Sequence, residues 1–223
     1  MTGSAPLADT RVIVFARAPE PGAAKTRLIP LLGAERAAAL QRMLIDRAIS
    51  TARAAGIGPV DLWCAPSALH PLLAGLAEYH GIGTASQCDG DLGARMLHAA
   101  VTALAATPRV IIIGSDCPAL TARDLREAAA ALFDGLDAVL IPAEDGGYVL
   151  IGLKWWDARL FTDIAWGTDQ VMATTRERLA ALDWHWHELP PAWDIDRPAD
   201  FERLAASGLI PDLEQAIATP RTA

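Results

Sequence analysis

Arg109-Val-Ile-Ile-Ile-Gly114 is the strongest strand-forming run in the chain: four consecutive apolar residues, three of them isoleucines, closed by a glycine. Such an uninterrupted apolar run suits a strand buried on both faces of a parallel sheet, because an antiparallel strand with one wet face would alternate. Arg11–Ala16 (RVIVFA) has the same character near the start. Working outward from these two, short β-rich runs alternate with Ala/Leu/Arg stretches of helical period. Gly33–Ala55 reads as a long helix with Leu40, Met43, Leu44, Arg47 and Ala48 at i, i+3, i+4 spacing. Pro59–Ala65 is a strand, Ser67–Tyr79 a helix and Gly83–Ser86 a short strand, and Asp91 opens a helix to about Ala106. After Gly114, Thr121 is placed to N-cap a helix ending near Phe133, with Asp124 favouring its dipole. Asp137–Pro142 and Tyr148–Leu153 are strands around the tight connection Glu144-Asp145-Gly146-Gly147. Thr168–Leu182 is helical, Trp184–Leu189 alternates as a strand, Arg197–Ala206 is a helix, and a short helix with a frayed end follows Pro211. The alternation predicts an α/β sheet. With no repeat or linker in view, the domain is expected over residues 11–210, flanked by a flexible start at 1–10 and a tail at 211–223.

The composition narrows the function. The chain has 223 residues, 52% of them hydrophobic, but 45 are alanines, so large core formers are scarcer than the percentage suggests. A net charge of −8 argues against a nucleic-acid or anionic-membrane surface, which needs a broad basic patch. Cys64, Cys88 and Cys117 are odd in number and lack the paired spacing of a zinc site, so reduced thiols in the cytoplasm are expected. The first ten residues have neither the basic start nor the apolar stretch of a secretory signal. Two habits of the sequence stand out. Lys25 and Lys154 are its only lysines against seventeen arginines, and six of seven tryptophans fall in the last third, where they suit a lid, a pocket wall or ordinary core.

In open α/β sheets ligands bind beyond the carboxyl ends of the strands. After the first strand come Arg17-Ala-Pro-Glu-Pro-Gly22-Ala-Ala-Lys25-Thr-Arg27-Leu28, three basic groups against Glu20. Lys25 offers a point charge and Arg27 a planar fork for phosphate oxygens, and Gly22 with the prolines turns the loop. It is not a P-loop, since Ala24 stands where that motif needs glycine before Lys-[Ser/Thr]. After the strongest strand, Gly114-Ser115-Asp116-Cys117-Pro118 places a carboxylate at a strand tip, as a ligand for Mg²⁺ or as a turn cap. Trp193-Asp194-Ile195-Asp196-Arg197-Pro198 brings two more, either of which would complete a two-carboxylate site with Asp116. Asp196 is alternatively the N-cap of the last long helix. Asp145-Gly146-Gly147-Tyr148 serves equally as a hairpin turn or as a carboxylate and amides facing a substrate. In Gln87–Arg95, Asp91 caps a helix and the glycines, Gly93 among them, would let a base or ribose approach the backbone. His185 and His187 suggest packing or surface, because no third metal ligand accompanies them.

Taken together, FARAPEPGAAKTRL, GDLGARM, IIIGSDCPAL, EDGGYVLIGL and WDIDRPADF, in that order over about residues 12–203, resemble the nucleotide-diphospho-sugar transferase (GT-A) superfamily. Within it the chain is most similar to the family called rSAM/selenodomain-associated transferase 1, described as glycosyltransferases. It is also similar to 2-phospho-L-lactate guanylyltransferase and, more distantly, to molybdenum cofactor guanylyltransferase. The resemblance implies a single three-layer α/β/α domain with a mainly parallel Rossmann-like sheet, whose first half binds a nucleotide donor and whose second half binds a small acceptor. It further implies nucleotide contacts from Arg17, Gly22, Lys25, Arg27, Asp91, Gly93 and Ser115; Mg²⁺ or Mn²⁺ on Asp116 with Asp196 or Asp194; and an acceptor face at Asp145, Gly146, Gly147 and Tyr148. Lys25, Arg27, Asp116 and Asp145 would carry the chemistry. One Asp in Ser-Asp-Cys-Pro, rather than Asp-x-Asp, points toward nucleotidyl transfer from an NTP to a phosphorylated metabolite. Glycosyl transfer from an NDP-sugar and a non-catalytic nucleotide-binding module are the alternatives.

Overall fold

A computed structural model describes residues 8–218. Residues 1–7 of the start expected to be flexible and residues 219–223 of the tail lie outside the described residues; Thr10 already belongs to the first strand. In chain order the elements are β1 (Thr10–Arg17), α1 (Ile29–Leu32), α2 (Ala34–Ala55), β2 (Val60–Ala65), α3 (Pro71–His80), β3 (Gly83–Ser86), α4 (Leu92–Leu104) and β4 (Arg109–Gly114). There follow α5 (Ala122–Phe133), β5 (Ala138–Pro142), β6 (Tyr148–Leu153), α6 (Val171–Ala181), β7 (Trp186–Glu188), α7 (Pro198–Ser207) and α8 (Leu213–Ala218). The seven strands form one sheet in the order β3-β2-β1-β4-β6-β5-β7. Only β6 runs antiparallel to its neighbours.

Successive side chains of a strand point to opposite faces, and both faces are covered. Val12, Val14, Ile111 and Ile113 pack with Leu73 of α3 and with Leu125 and Leu132 of α5, on the side that also holds Ile45 and Ile49 of α2. Ile13, Val110 and Ile112 pack on the other side with Met96 and Ala100 of α4 and with Met172 and Leu179 of α6. These are the three layers that the resemblance implied. A third cluster joins Leu28 and Leu32, at the end of the first loop, and Leu40 and Leu44 of α2 to Ile195, Phe201, Leu204, Leu213 and Ile217. The end of the chain is thereby brought back against its beginning, which positions the site.

Element ends deviate from the sequence reading for local reasons. The helix expected from Ser67 begins at Pro71, because the residue before a proline is driven out of helical backbone and His70 is extended. The helix expected from Thr168 begins at Val171, since Gly167, Thr168 and Asp169 form the turn that docks it. The strand expected over Trp184–Leu189 is regular only at Trp186–Glu188, with the His185 carbonyl and the Leu189 amide bonding to Asp137 and Leu140 on either side of it. α1, at four residues, is too short to show a helical period. Thr121 and Asp124 form a reciprocal capping box on α5. Among the described residues no helix is long and apolar enough to cross a membrane, and the three cysteines are free.

Candidate active site

β1 passes to β2 on one side and lies against β4 on the other, so the carboxyl ends of β1 and β4 flank the point where the strand order reverses. A crevice opens there by geometry alone. The loop leaving β1 turns back on itself, with Ala23 and Ala24 donating to the Glu20 carbonyl and Gly22 at φ +82°. Glu20 is tied in turn to His70, at 2.9 Å. Lys25 then adopts left-handed backbone, φ +48° and ψ +45°, a conformation that costs a residue with a Cβ about 1–2 kcal/mol. The turn sends its side chain inward: Nζ stands 2.9 Å from Asp116 Oδ1 with only 5% of the side chain exposed, and it donates to the Ile195 carbonyl. One of the chain's two lysines is therefore a buried cation joining the first loop, the β4 tip and the segment before α7.

Asp116 is supported from below. Gln41 of α2 donates to Ser115 Oγ at 3.1 Å, and Ser115 Oγ donates to Asp116 Oδ1 at 3.2 Å. Gln41 and Ser115 are each 5% exposed. Arg47, also on α2, donates to the Pro118 carbonyl at 2.8 Å and to the Leu209 carbonyl at 3.2 Å. Sequence reasoning missed Gln41 and counted Arg47 only as a point in the helical spacing. A glutamine among Leu40, Leu44 and Ile45 was the available signal, since a buried amide needs a partner.

The segment Trp193–Arg197 divides its carboxylates. Ile195 is fully buried and its amide donates to the Asp116 carbonyl at 2.9 Å. Asp196 pairs with Arg27 on the exposed side. It is not the N-cap of α7: that position is Arg197, and Asp200 accepts from the amides of both Asp196 and Arg197, at 3.0 and 2.7 Å. Asp194 instead faces Asp145. The bridge between Ala143 and Ala192, with Glu144 N donating to the Ala192 carbonyl at 3.0 Å, lays the two segments side by side. Arg203, paired with Glu144 and stacked 4.4 Å over Trp193, holds this arrangement from outside. Burial, with Asp145 and Asp116 beside it, pushes the Asp194 carboxyl from 3.8 up to about 6 against the pull of Lys25. Folded Asp194 thus holds its proton to higher pH than unfolded Asp194, so stability falls as pH rises from about 4 to about 6 and is level above that. D194N should therefore be more stable than the parent at pH 7.5, by about 1–2 kcal/mol after allowance for solvent screening, with the difference vanishing near pH 4. Thermal melts across that range check this, and equal melting temperatures at pH 7.5 would overturn it.

Asp145 serves both of its sequence readings. Its Oδ1 accepts from Gly147 N at 3.0 Å within the turn, and the residue also lines a cavity. Gly146 has φ +93°; its carbonyl accepts from Met172 N at 2.8 Å, and a Cβ there would fall 2.4 Å from the Asp169 carbonyl oxygen. G146A should lower the melting temperature by roughly 6–12 °C, combining backbone strain with a clash against backbone. A smaller change in calorimetry would show that the turn yields. The cavity encloses about 220 Å³ between β4, β6, the start of α4 and the loop before α6, with Asp145 and Asp194 in its wall. Tyr148 borders it, donating to Met96 Sδ at 3.7 Å and meeting Trp166 edge to face; burial raises the phenol's pKa.

The remaining sequence candidates lie around this centre. Arg17 is exposed at the end of β1. Asp91 is the N-cap of α4, accepting from Ala94 N at 2.8 Å. Gly93 is buried where a Cβ would meet the Phe161 carbonyl oxygen at 2.0 Å and Trp166 Nε1 at 2.6 Å, so close packing already requires glycine there. For a divalent cation, no group of three or more ligating side chains converges among the described residues. Magnesium, however, commonly takes one or two carboxylates and completes its shell with substrate phosphates and water. Asp116 suits that use: its contacts with Lys25 and Ser115 both fall on Oδ1, and 47% of its side chain is exposed. The Asp194 carboxyl beside it is raised first by burial and then by the charges of Asp145 and Asp116, and a cation would relieve the second of these.

A three-layer sheet of this strand order, with its crevice at the β1/β4 switch point, defines a nucleotide-diphospho-sugar transferase (GT-A)-like protein. The chain belongs to the family described as "Uncharacterized protein conserved in bacteria (DUF2064)", whose model matches residues 48–168. That stretch contains the GDLGARM, IIIGSDCPAL and EDGGYVLIGL motifs; the Lys25 loop and WDIDRP lie outside it. No curated protein matches the sequence. Among solved structures, a proposed nucleotide-diphospho-sugar transferase from Desulfovibrio desulfuricans G20 is 27% identical over 95% of this chain and 97% of its own, with a TM-score of 0.80. A cytidylyltransferase from Leptospira borgpetersenii superposes with a TM-score of 0.61 at 14% identity, covering 97% of this chain and 99% of that one. Glucosyl-3-phosphoglycerate synthase from Mycobacterium tuberculosis, solved with Mn²⁺, UDP and glucosyl-3-phosphoglycerate, does so at 0.54 and 12% identity, over 96% of this chain and 82% of that one. The last two are likenesses of fold alone.

Proposed function

We propose that this chain is a divalent-cation-dependent transferase acting on an activated nucleotide, and that it transfers a nucleotidyl group from an NTP to a small acceptor with release of pyrophosphate. The observation that carries the reading is the row Lys25–Asp116–Asp194 across the switch point, with a buried cation at one end and a partly open cavity at the other. Structures of nucleotidyl- and glycosyltransferases with the same fold support the class. Nucleotidyl transfer is preferred because position 118, where an Asp-x-Asp motif would put a second carboxylate, is the buried Pro118. Lys25 and Arg27 neutralise donor phosphates, Asp116 with Asp194 or Asp196 holds the cation, and Asp145 faces the acceptor. The cation, when bound, would screen the phosphate charge and polarise the reacting phosphoryl group; the protein contributes position and electrostatics. In the free chain Lys25 and Arg27 are each paired with a carboxylate assigned to the cation. Nucleotide and cation together offer new partners to both halves of each pair, so nucleotide should bind weakly without the cation. We place the reaction in the cytoplasm, where the free cysteines stay reduced.

The test incubates the protein and Mg²⁺ with the four common NTPs, a set of NDP-sugars and a metabolite extract. Acceptor-dependent pyrophosphate release supports the proposal. Nucleoside diphosphate release from an NDP-sugar replaces it with glycosyl transfer, the second reading, which the cavity beside Asp145 favours. Nucleotide binding without either product leaves a binding module.

A further inference from the structure

We propose that the second substrate seats an unphosphorylated body in the cavity beside Asp145, neutral or cationic and about one ring in size, and presents a hydroxyl as the nucleophile. This rests on the transferase reading for the reaction, and on the cavity alone for the ligand's chemistry. Among the described residues the lining contains no Lys, Arg or His, and its only charged members are Asp145 and Asp194. In the chain free of the divalent cation, a phosphate or carboxylate placed there would give up water for two carboxylates and gain no lysine, arginine or histidine from the wall, a loss on both counts.

Three cations of the surrounding segments have other partners: Lys25 is held by Asp116 and the Ile195 carbonyl, Arg27 by Asp196, and Arg203 by Glu144. Apart from Thr168 the side chains of the rest of the wall are apolar or aromatic, Phe15, Met96, Ile112 and Val171 among them, with Trp166 and Tyr148 meeting edge to face at 6.3 Å between ring centroids. Such walls suit the flat face of a ring. At about 220 Å³ the space is below the ~300–1,000 Å³ typical of drug-sized ligands, so one small ring fills it. The phosphorylated acceptor that the sequence suggested finds no counter-charge here. In the step that follows, the acceptor oxygen forms a bond to the α-phosphorus, the bond from that phosphorus to the pyrophosphate oxygen breaks with its electron pair, and the hydroxyl proton passes to Asp145.

Ligand-observed NMR by saturation transfer on the full chain, without nucleotide or divalent cation, tests this with matched probes: glucose against glucose 6-phosphate, and glucosamine against gluconate. The neutral and cationic members should bind at least tenfold more tightly than the anionic ones. D145N should reduce the preference for glucosamine over glucose. T168R, which adds a cation to the wall at an exposed position, should shift the preference toward glucose 6-phosphate. Equal or tighter binding of the anionic members to the parent protein, or no binding by any probe, would overturn the proposal. Binding of the neutral members with neither pyrophosphate nor nucleoside diphosphate released in any mixture would sink the transferase reading and leave this one standing. Pyrophosphate release that requires a phosphorylated acceptor would do the reverse.

Discussion

D116N is expected to lower acceptor-dependent turnover by a factor of roughly 10²–10³, the usual loss when one preorganised charge at a reacting phosphoryl or acyl centre is removed. Asn keeps the shape of the side chain and an oxygen that Ser115 can meet, so the support from Gln41 survives. What is lost is the charge that pairs with Lys25 and would meet the cation. Because Lys25 keeps the Ile195 carbonyl as acceptor, the variant should fold, with a stability cost of about 1–3 kcal/mol for leaving a buried ammonium short of its counter-ion. The decisive comparison is activity against Mg²⁺ concentration beside a thermal melt. Unchanged turnover in a folded D116N protein would remove Asp116 from the cation site.

K25M should cost both stability and activity. The substitution fills similar space but removes the ammonium that joins Asp116 to the Ile195 carbonyl, and with it the fastening between the first loop and the segment carrying Asp194. A loss of about 1–3 kcal/mol is expected, moderated because Asp116 is half-exposed and regains water. Donor KM should rise and kcat fall together, since positioning and phosphate neutralisation both depend on this side chain. K25R is not a rescue: a planar fork does not fit a site where 5% of the side chain is exposed. The double variant K25M/D116N should be less destabilised than the sum of the singles by about 1–2 kcal/mol. Strict additivity in denaturant melts would show that the pair contributes no coupling.

How much of this was legible in the sequence follows from the range of each interaction. RVIIIG and RVIVFA declared buried parallel strands through composition alone, and both lie at the centre of the sheet. Thr121 and Asp91 declared their helix starts through capping chemistry that spans three residues. Asp116 was singled out because it ends a strand. Gln41 was not, because its partner Ser115 is 74 residues away and no local pattern links them. Asp194 and Asp196 were equal candidates beside Asp116 in the sequence; the pairing of Ala143 with Ala192 and the ion pair of Asp196 with Arg27 separated their roles.

From the sequence alone came the α/β class, the order of its elements, and the loops that bear charge at strand ends, because period, capping and turn chemistry act within a few residues. The tertiary structure alone decided that Lys25 is a buried staple, that Asp194 faces Asp145 while Asp196 goes to Arg27, and that among the described residues the cavity wall beside them has two carboxylates and no basic side chain. Those outcomes depend on burial and on pairings across 59 to 170 residues of chain, and charge and desolvation are set by which distant segments the core brings together.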